Sequence, residues 1–381
     1  MNTSRKRLIA ILSLSMAGAL VGTGISPALN SISLYFSDAS PVMIQMVVSL
    51  PSLLVLVVAV AFSKISNHIS MRDICTLSLI LFTVGGVMGF FVDSMEMLIF
   101  TRVLIGFGYG LMMPMSVGLL SYFYEKEEQQ KLNGYIVILS SVISIVSMAL
   151  VGYLADISWR LCFLVYLFGI PCLWYNWKYI PAITLKSPKN RISLGLIKRI
   201  WPYAIGVFSI MIIYFSILNN CSNIIISEGT VNAASVGAFM SIQTTASLFT
   251  GVFMDQLRRW LGQKTKYMIW GLALVSMIAL SIPKSVVCLV IGLSCFGMVL
   301  AMAVATFNSS ACVMCHKEEA LSATSVVSFM RCSGQFLSPI LIAGIQGIVG
   351  FENARFPYYF DLVLAAIMLI VFIPVKMTSD Q

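Results

Sequence analysis

Predominantly apolar runs of roughly 20 residues recur along this chain from one end to the other. Wound as a helix, a run of that length spans the hydrocarbon core of a bilayer, about 30 Å thick. No water is available there, so each run must satisfy its backbone hydrogen bonds within itself, which makes it a helix. About twelve runs are present, placed at 8–35, 42–63, 74–92, 97–122, 134–155, 160–178, 200–220, 233–254, 266–283, 285–308, 321–348 and 356–375. Only 10% of the 381 residues are charged, against about 25% in soluble domains. The predicted fold is an all-α integral membrane protein, with twelve transmembrane helices in two pseudo-symmetric six-helix bundles.

The longest polar gap, "PAITLKSPKNRISLGLIKR" (Pro181 to Arg199), falls almost at the midpoint. It divides the chain into an N-terminal bundle (1–180), a cytoplasmic linker (181–199) and a C-terminal bundle (200–381). The basic start "MNTSRKR" precedes an apolar run longer than the roughly 7–15 residues of a cleavable signal core, and it reads as the first span.

Basic residues give the orientation, because Lys and Arg collect on the cytoplasmic side of short loops. With the N-terminus inside, nineteen of the 24 Lys and Arg fall in inner segments. Outer connections hold Arg160, Lys284 and Arg355, and two more, Arg102 and Arg331, lie within spans. The net charge of +9 is therefore an orientation signal and not a nucleic-acid footprint. Both termini are expected in the cytoplasm of a cell whose inner membrane the chain crosses repeatedly.

The stretch "ACVMCHKEEA" (Ala311 to Ala320) contains C-x-x-C-H, a haem-attachment pattern. Positive-inside topology puts it on the cytoplasmic side, opposite to where covalent haem attachment is expected in bacteria. A zinc site would need a fourth ligand or a second Cys pair nearby. Lys126-Glu127-Glu128 recurs as Lys317-Glu318-Glu319, so this stretch repeats the polar end of a helix. No metal and no cofactor is expected.

That repeat has an offset of 191 residues, and spans one and seven start at a similar offset. The loop after span two, "FSKISNHISMRD", is echoed after span eight by "GVFMDQLRRWLGQK". In these features the sequence resembles the major facilitator superfamily, whose members carry G-x-x-x-D-[RK]-x-G-[RK]-[RK] in the loop after span two. The second copy keeps Gly251, Asp255, Arg258, Arg259, Gly262 and Lys264; the first has Ser63, Asn67 and Ser70 at the Gly, Asp and Gly positions and keeps Lys64 and Arg72. The resemblance implies a transporter working by alternating access, with cargo bound near the midplane between two halves. It also implies a conformational gate at Asp255, Arg258, Arg259, Gly251, Asn67 and Arg72, weakened in its first copy. Arg102, in "TRVLIGFGYGLMMP", stands where many members carry an Arg in span four, and "GYLADISWRLCFLVYLFGIP" around Trp159 resembles the span five-to-six corner of drug-efflux-type members. The R-x-x-G-Q stretch of "SFMRCSGQFLSP" is similar to one in bacterial efflux-type relatives.

An ionisable residue at bilayer depth costs about 2.5–3.5 kcal/mol, which makes it a functional candidate by default. Arg331 lies well inside span eleven, with Gln335 one turn on along the same face. It reads as a contact for an anionic group or, alternatively, as a structural arginine satisfied by helix carbonyls. Arg102 reads as a cargo contact or as a gate residue snorkelling toward the outer face. Gln243 is mid-span, and Tyr109, Tyr214 and Asn219 suggest an aromatic cavity with a few polar groups. Glycines in "GGVMG" and "GFGYG" allow helices to approach closely. The first half has no acid deep in a span, and Asp361, about five residues into span twelve, reads as a solvated outer-end carboxylate or, alternatively, as a proton carrier. Deep positive charge favours neutral or anionic cargo over cations.

A phosphate-binding G-x-x-x-x-G-K-[ST] loop is missing, which argues against ATP drive. No nucleophile–base or paired-carboxylate constellation lies at membrane depth, so an enzyme is not expected. The expected function is secondary active export of a small amphipathic or anionic organic compound by a monomer. Partners are that cargo, membrane lipid and, as a candidate coupling ion, protons; nucleic acid is not a partner. The alternatives are an importer or exchanger of organic anions, and a transport-inactive membrane sensor or scaffold.

Overall fold

Serines stand at the start of several apolar runs, and in the computed structural model of the chain they cap the helices that follow. Ser40, Ser70, Ser94 and Ser285 each accept a hydrogen bond from the backbone N–H three residues on, satisfying an amide the helix leaves open. Ser70 also donates to Asp73 Oδ2 at 2.6 Å, tying the cap to the first turn. The structure describes residues 3–184, 194–315, 319–351 and 353–375. Lys186, Lys189 and Arg191 of the predicted linker, His316, Lys317 and Glu318 of the C-x-x-C-H stretch, and Lys376 lie outside the described residues.

All regular structure among the described residues is helical. In chain order the first half runs α1 (Thr3–Thr23), α2 (Leu29–Tyr35), α3 (Pro41–His68), α4 (Met71–Met88), α5 (Met95–Phe123) and α6 (Lys126–Ile157). A 3₁₀ segment (Trp159–Phe168) then leads into α7 (Gly169–Tyr179). The second half runs α8 (Leu194–Ser227), α9 (Val236–Val252), α10 (Met254–Leu261), α11 (Thr265–Ser281), α12 (Val286–Val313), α13 (Ala320–Val349) and α14 (Phe356–Val371). Eight helices among the described residues are long and apolar enough to cross a membrane. Ala233–Val252 and Gln256–Ser281 meet that standard as a pair bent by 71°, and Phe356–Val371 is a shorter apolar helix. The sixth expected span is built from the 3₁₀ segment and the eleven residues of α7.

The chain divides into two compact units, Met1–Lys189 with Ala233–Gly237, and Asn190–Asn232 with Ala238–Gln381. In the first unit α5 packs on both α3 and α4 through glycines on opposite sides. A Cβ on Gly110 would lie 2.7 Å from Val58 Cβ of α3, and one on Gly108 would lie 2.7 Å from the Ser78 carbonyl oxygen of α4. Hydrocarbon gives helices no hydrophobic reason to associate, so close backbone contact through small residues has to hold them.

In the second unit α8 packs along α13, where a Cβ on Gly334 would come 2.5 Å from the Phe208 carbonyl oxygen. Ser338 Oγ donates to the Ile212 carbonyl at 2.8 Å across the same seam. Trp270 of α11, Phe307 of α12 and Phe372, just past α14, cluster with ring centroids 5.2–6.4 Å apart. Lys266 on α11 donates its ammonium to the Ile373 carbonyl at 2.8 Å, satisfying an acceptor at the open end of α14.

Candidate functional site

Arg102 lies on α5 inside the first unit, 1% exposed, so its predicted snorkelling toward water does not occur. Its guanidinium is held by aromatic groups and not by a carboxylate. Nη1 donates to Tyr166 Oη at 3.1 Å and Nε to Thr101 Oγ1 at 3.2 Å. The Phe163 ring lies 4.8 Å and the Tyr166 ring 5.5 Å from its central carbon, within cation–π range. Nη2 is buried with no hydrogen-bond partner. Phe163 and Tyr166 both come from the 3₁₀ segment, and its close approach to α4 depends on Gly86, where a Cβ would sit 2.2 Å from Tyr166 Cβ. Arg102 therefore joins α5 to the sixth segment inside its own unit.

Tyr109 lies two turns further along α5, with its ring 3.1 Å from where a Cβ on Gly18 of α1 would stand. Asn67, in the last turn of α3, is exposed, and Arg72 opens α4 with Nε 3.7 Å from Asp73 Oδ1. These four residues all belong to the first unit.

The remaining candidates belong to the second unit. Arg331 and Gln335 share a face of α13 at intermediate exposure, and Gln335 Nε2 reaches Met211 Sδ of α8 at 3.5 Å. Tyr214, one turn on from Met211, packs edge-on against Phe215. Asn219 is fully buried on α8, and neither polar atom of its amide has a hydrogen-bond partner. Gln243 on α9 is 2% exposed, with no partner for its amide nitrogen. Across the α8–α13 seam Gln335 meets Met211, with Arg331 one turn before it on α13 and Tyr214 one turn beyond Met211 on α8, while Gln243 sits on α9.

In the second loop motif, Gly251 ends α9 in open space and α10 carries Arg258 and Arg259. Arg258 Nη2 donates to the Ala305 carbonyl of α12 at 3.3 Å, and Arg259 is exposed. Asp255 falls on α10, with its side chain outside the described residues. Gly262 stops α10 at φ +47°, a conformation that favours glycine. Cys312 Sγ lies 3.4 Å from Thr324 Oγ1, and Cys315 donates to the Ala311 carbonyl at 3.1 Å.

Asp361 was expected to be a solvated outer-end carboxylate, and the structure overturns this. It is 0% exposed, and neither carboxylate oxygen has a hydrogen-bond partner. Helix α14 begins only at Phe356, so five residues take the chain well into a short helix that packs on α8, α11 and α13. A second feature missed in the sequence is the pairing of Glu228, just past α8, with Arg355 at the start of α14. Arg355 Nε donates to Glu228 Oε1 at 2.6 Å and Nη2 donates to Oε2, while Nη1 donates to the Leu280 carbonyl at the end of α11. The Lys284 N–H adds a bond to Glu228 Oε2 at 3.3 Å. The Arg355 hydrogen bond, reinforced by its charge, holds the Glu228 carboxyl below its ordinary range despite partial burial. Sequence offered one signal for this pair, two opposite charges in outer connections otherwise almost free of basic residues.

Known structures share this architecture at low identity. The bacterial homolog of the human lysosomal transporter Spinster, inward-facing and occupied, superposes with a TM-score of 0.76 at 13% identity, covering 97% of both chains. Its unoccupied form gives 0.74 at 12%, covering 97% of this chain and 95% of that one. The nucleoside transporter NupG gives 0.76 at 13%, covering 97% of this chain and 99% of that one. No curated protein matches the chain. The Major Facilitator Superfamily model matches residues 8–339, most of the length and both units. The chain belongs to the Major Facilitator Superfamily, a family of membrane transporters.

Proposed function

We propose that the chain is a secondary active transporter that exports a small amphipathic or anionic organic compound across the cytoplasmic membrane by alternating access. The twelve expected spans are kept in this reading, with α9 and α11 counted as two crossings and the 3₁₀–α7 segment and the short α14 as one each. The observation that carries the choice of cargo is Arg331, a partly exposed cation well inside the apolar helix α13, with Gln335 on the same face. Such a charge is retained at membrane depth when it does work there, and an anionic group is its natural partner. Arg102 is committed to Tyr166 and Phe163, so its role is to position α5 and leave one N–H group available. Export is supported by the corner around Trp159, which packs on Tyr35, Phe36 and Phe163 and whose sequence is similar to efflux-type members.

Proteoliposomes with a panel of anionic, neutral and cationic amphiphiles test this reading. Accumulation of anionic members, lost in a folded Arg331→Ala variant, is the expected result. Wild-type rates in that variant remove Arg331 from the mechanism. A second reading, exchange of one organic anion for another, is favoured by the two embedded arginines. It predicts counter-flow of a labelled carboxylate with no driving ion.

A further inference from the structure

Cys312 and Cys315 are the one pair among the nine cysteines spaced three residues apart, the separation that makes side chains neighbours on a helix. Cys312 stands in the last turn of α12 and Cys315 two residues past its end, where the Cys315 N–H donates to the Cys312 carbonyl at 3.3 Å and closes a tight turn. Both are partly exposed. Five of the other cysteines are buried, and Cys288 and Cys295, two turns apart on α12, are too distant to bond each other. Each sulfur of the close pair has its own partner. Cys312 Sγ lies 3.4 Å from Thr324 Oγ1 of α13, and Cys315 donates to the Ala311 carbonyl at 3.1 Å. The connection beyond them is anchored to a third helix, because Arg199 of α8 donates to both carboxylate oxygens of Glu319, at 3.0 and 3.3 Å. These elements all belong to the second unit.

Neighbours three apart on a helix have Cβ atoms about 5–6 Å apart, roughly 1 Å more than a disulfide takes, so a bond needs only a local tightening of this last turn. A disulfide carries no S–H, so forming one ends the Cys315 donation, and turning Cys312 toward Cys315 draws it from Thr324. The pair is not built as an oxidoreductase centre. Such centres stabilise a thiolate at a helix N-terminus, whereas this pair stands at a C-terminus, whose partial negative charge disfavours one. Burial pushes the Cys315 thiol up, the Glu319 carboxylate adding to this and Arg199 opposing it. A thiol of that kind is a poor leaving group, so a disulfide formed here yields slowly to reductant. The distribution of basic residues puts this end on the expected cytoplasmic side, where disulfides are transient and report a change in redox state.

We propose that Cys312 and Cys315 form a reversible disulfide, a modification site whose closure breaks the Cys312–Thr324 tie between α12 and α13. The oxidant it takes is a low-molecular-mass disulfide. One protein thiolate attacks that disulfide, forms a mixed disulfide and releases one small thiol. The second protein thiolate attacks the protein sulfur of the mixed disulfide and releases the other. The two cysteines are oxidised, the small disulfide is reduced to two thiols, and the two cysteine protons end on those thiols. Helix α13 also carries Arg331, so an effect of closure on cargo movement rests on the transport reading above; the disulfide itself does not.

Oxidised glutathione added to the purified full chain, followed by alkylation of the remaining thiols, proteolysis and mass spectrometry, tests the site without any cargo. The peptide holding Cys312 and Cys315 is expected to escape alkylation at both, to be lighter by two hydrogens, and to recover both thiols in dithiothreitol. This measurement on the wild-type chain needs no variant to fold. Cys315→Ser is expected to stop at a glutathione mixed disulfide on Cys312. Thr324→Val removes the partner of Cys312 and is expected to speed closure roughly two- to tenfold, the worth of one hydrogen bond. A peptide that stays alkylated at both positions, or either cysteine bonded to a third one, overturns the disulfide. Closure at the wild-type rate in Thr324→Val overturns the tie. Because no transport is measured, failure here and failure of the transport reading are separate results.

Discussion

Arg355 grips Glu228 through two guanidinium nitrogens while its third reaches the Leu280 carbonyl, so one side chain fastens the ends of α8, α11 and α14. The two side chains are 8% and 17% exposed, which spares the pair most of the screening that weakens surface ion pairs. Removing one partner leaves the other charge part-buried and unmatched. Arg355→Ala is expected to lower stability by about 2–4 kcal/mol, read as a fall in Tm, while Arg355→Lys recovers only part because it cannot bind both oxygens.

The same pair gives a pH dependence with a defined sign. Folding lowers the Glu228 pKa, so its contribution is present above the unfolded value and is lost as pH falls through the folded value. Thermal unfolding across acidic pH is expected to show wild type losing stability faster than Glu228→Gln. Parallel curves for the two proteins contradict this.

Arg102 separates stability from transport. Tyr166→Phe removes the acceptor for Nη1 at a buried site, with an expected loss of about 1–3 kcal/mol. Arg102→Met replaces a buried cation with an apolar side chain of similar length, a change that is often neutral or stabilising. The expected outcome is a Tm near wild type with altered transport. A fully active Arg102→Met variant confines Arg102 to a packing role.

Gly86→Ala and Gly134→Ala differ in sign. A Cβ on Gly86 would overlap Tyr166, so this substitution is expected to cost about 1–3 kcal/mol through overpacking. Gly134 lies on α6 with nothing within 4 Å of the added carbon, and alanine there is expected to gain up to about 1 kcal/mol of helix propensity. Paired Tm measurements check both.

The sequence made the helical architecture legible because the bilayer leaves an apolar run few conformations other than a helix. The close contacts of Gly108 and Gly110 followed from the same physics, since small residues are what such helices use to touch. Other features depended on contacts distant in sequence. Arg102 reads from the sequence as a residue near the outer face, whereas it is buried against Tyr166, 64 residues away in a segment that folds as a 3₁₀ helix. Asp361 was misread because distance from the start of an apolar run measures depth, while burial depends on the neighbouring helix, here α8. The loop after span eight was read as a motif, and its α10 helix, ended by Gly262, was not anticipated. Arg331 was placed on its helix, but the Gln335–Met211 contact beside it needed the packing of α13 on α8.

The most direct test of the account is substrate-dependent proton movement in proteoliposomes holding the wild-type chain under an imposed pH gradient. An anionic or neutral amphiphile is expected to move against its gradient as the pH gradient collapses, with loss of that coupling in Arg331→Ala. A folded wild-type protein that moves no member of the panel contradicts the proposal that this chain is an active transporter.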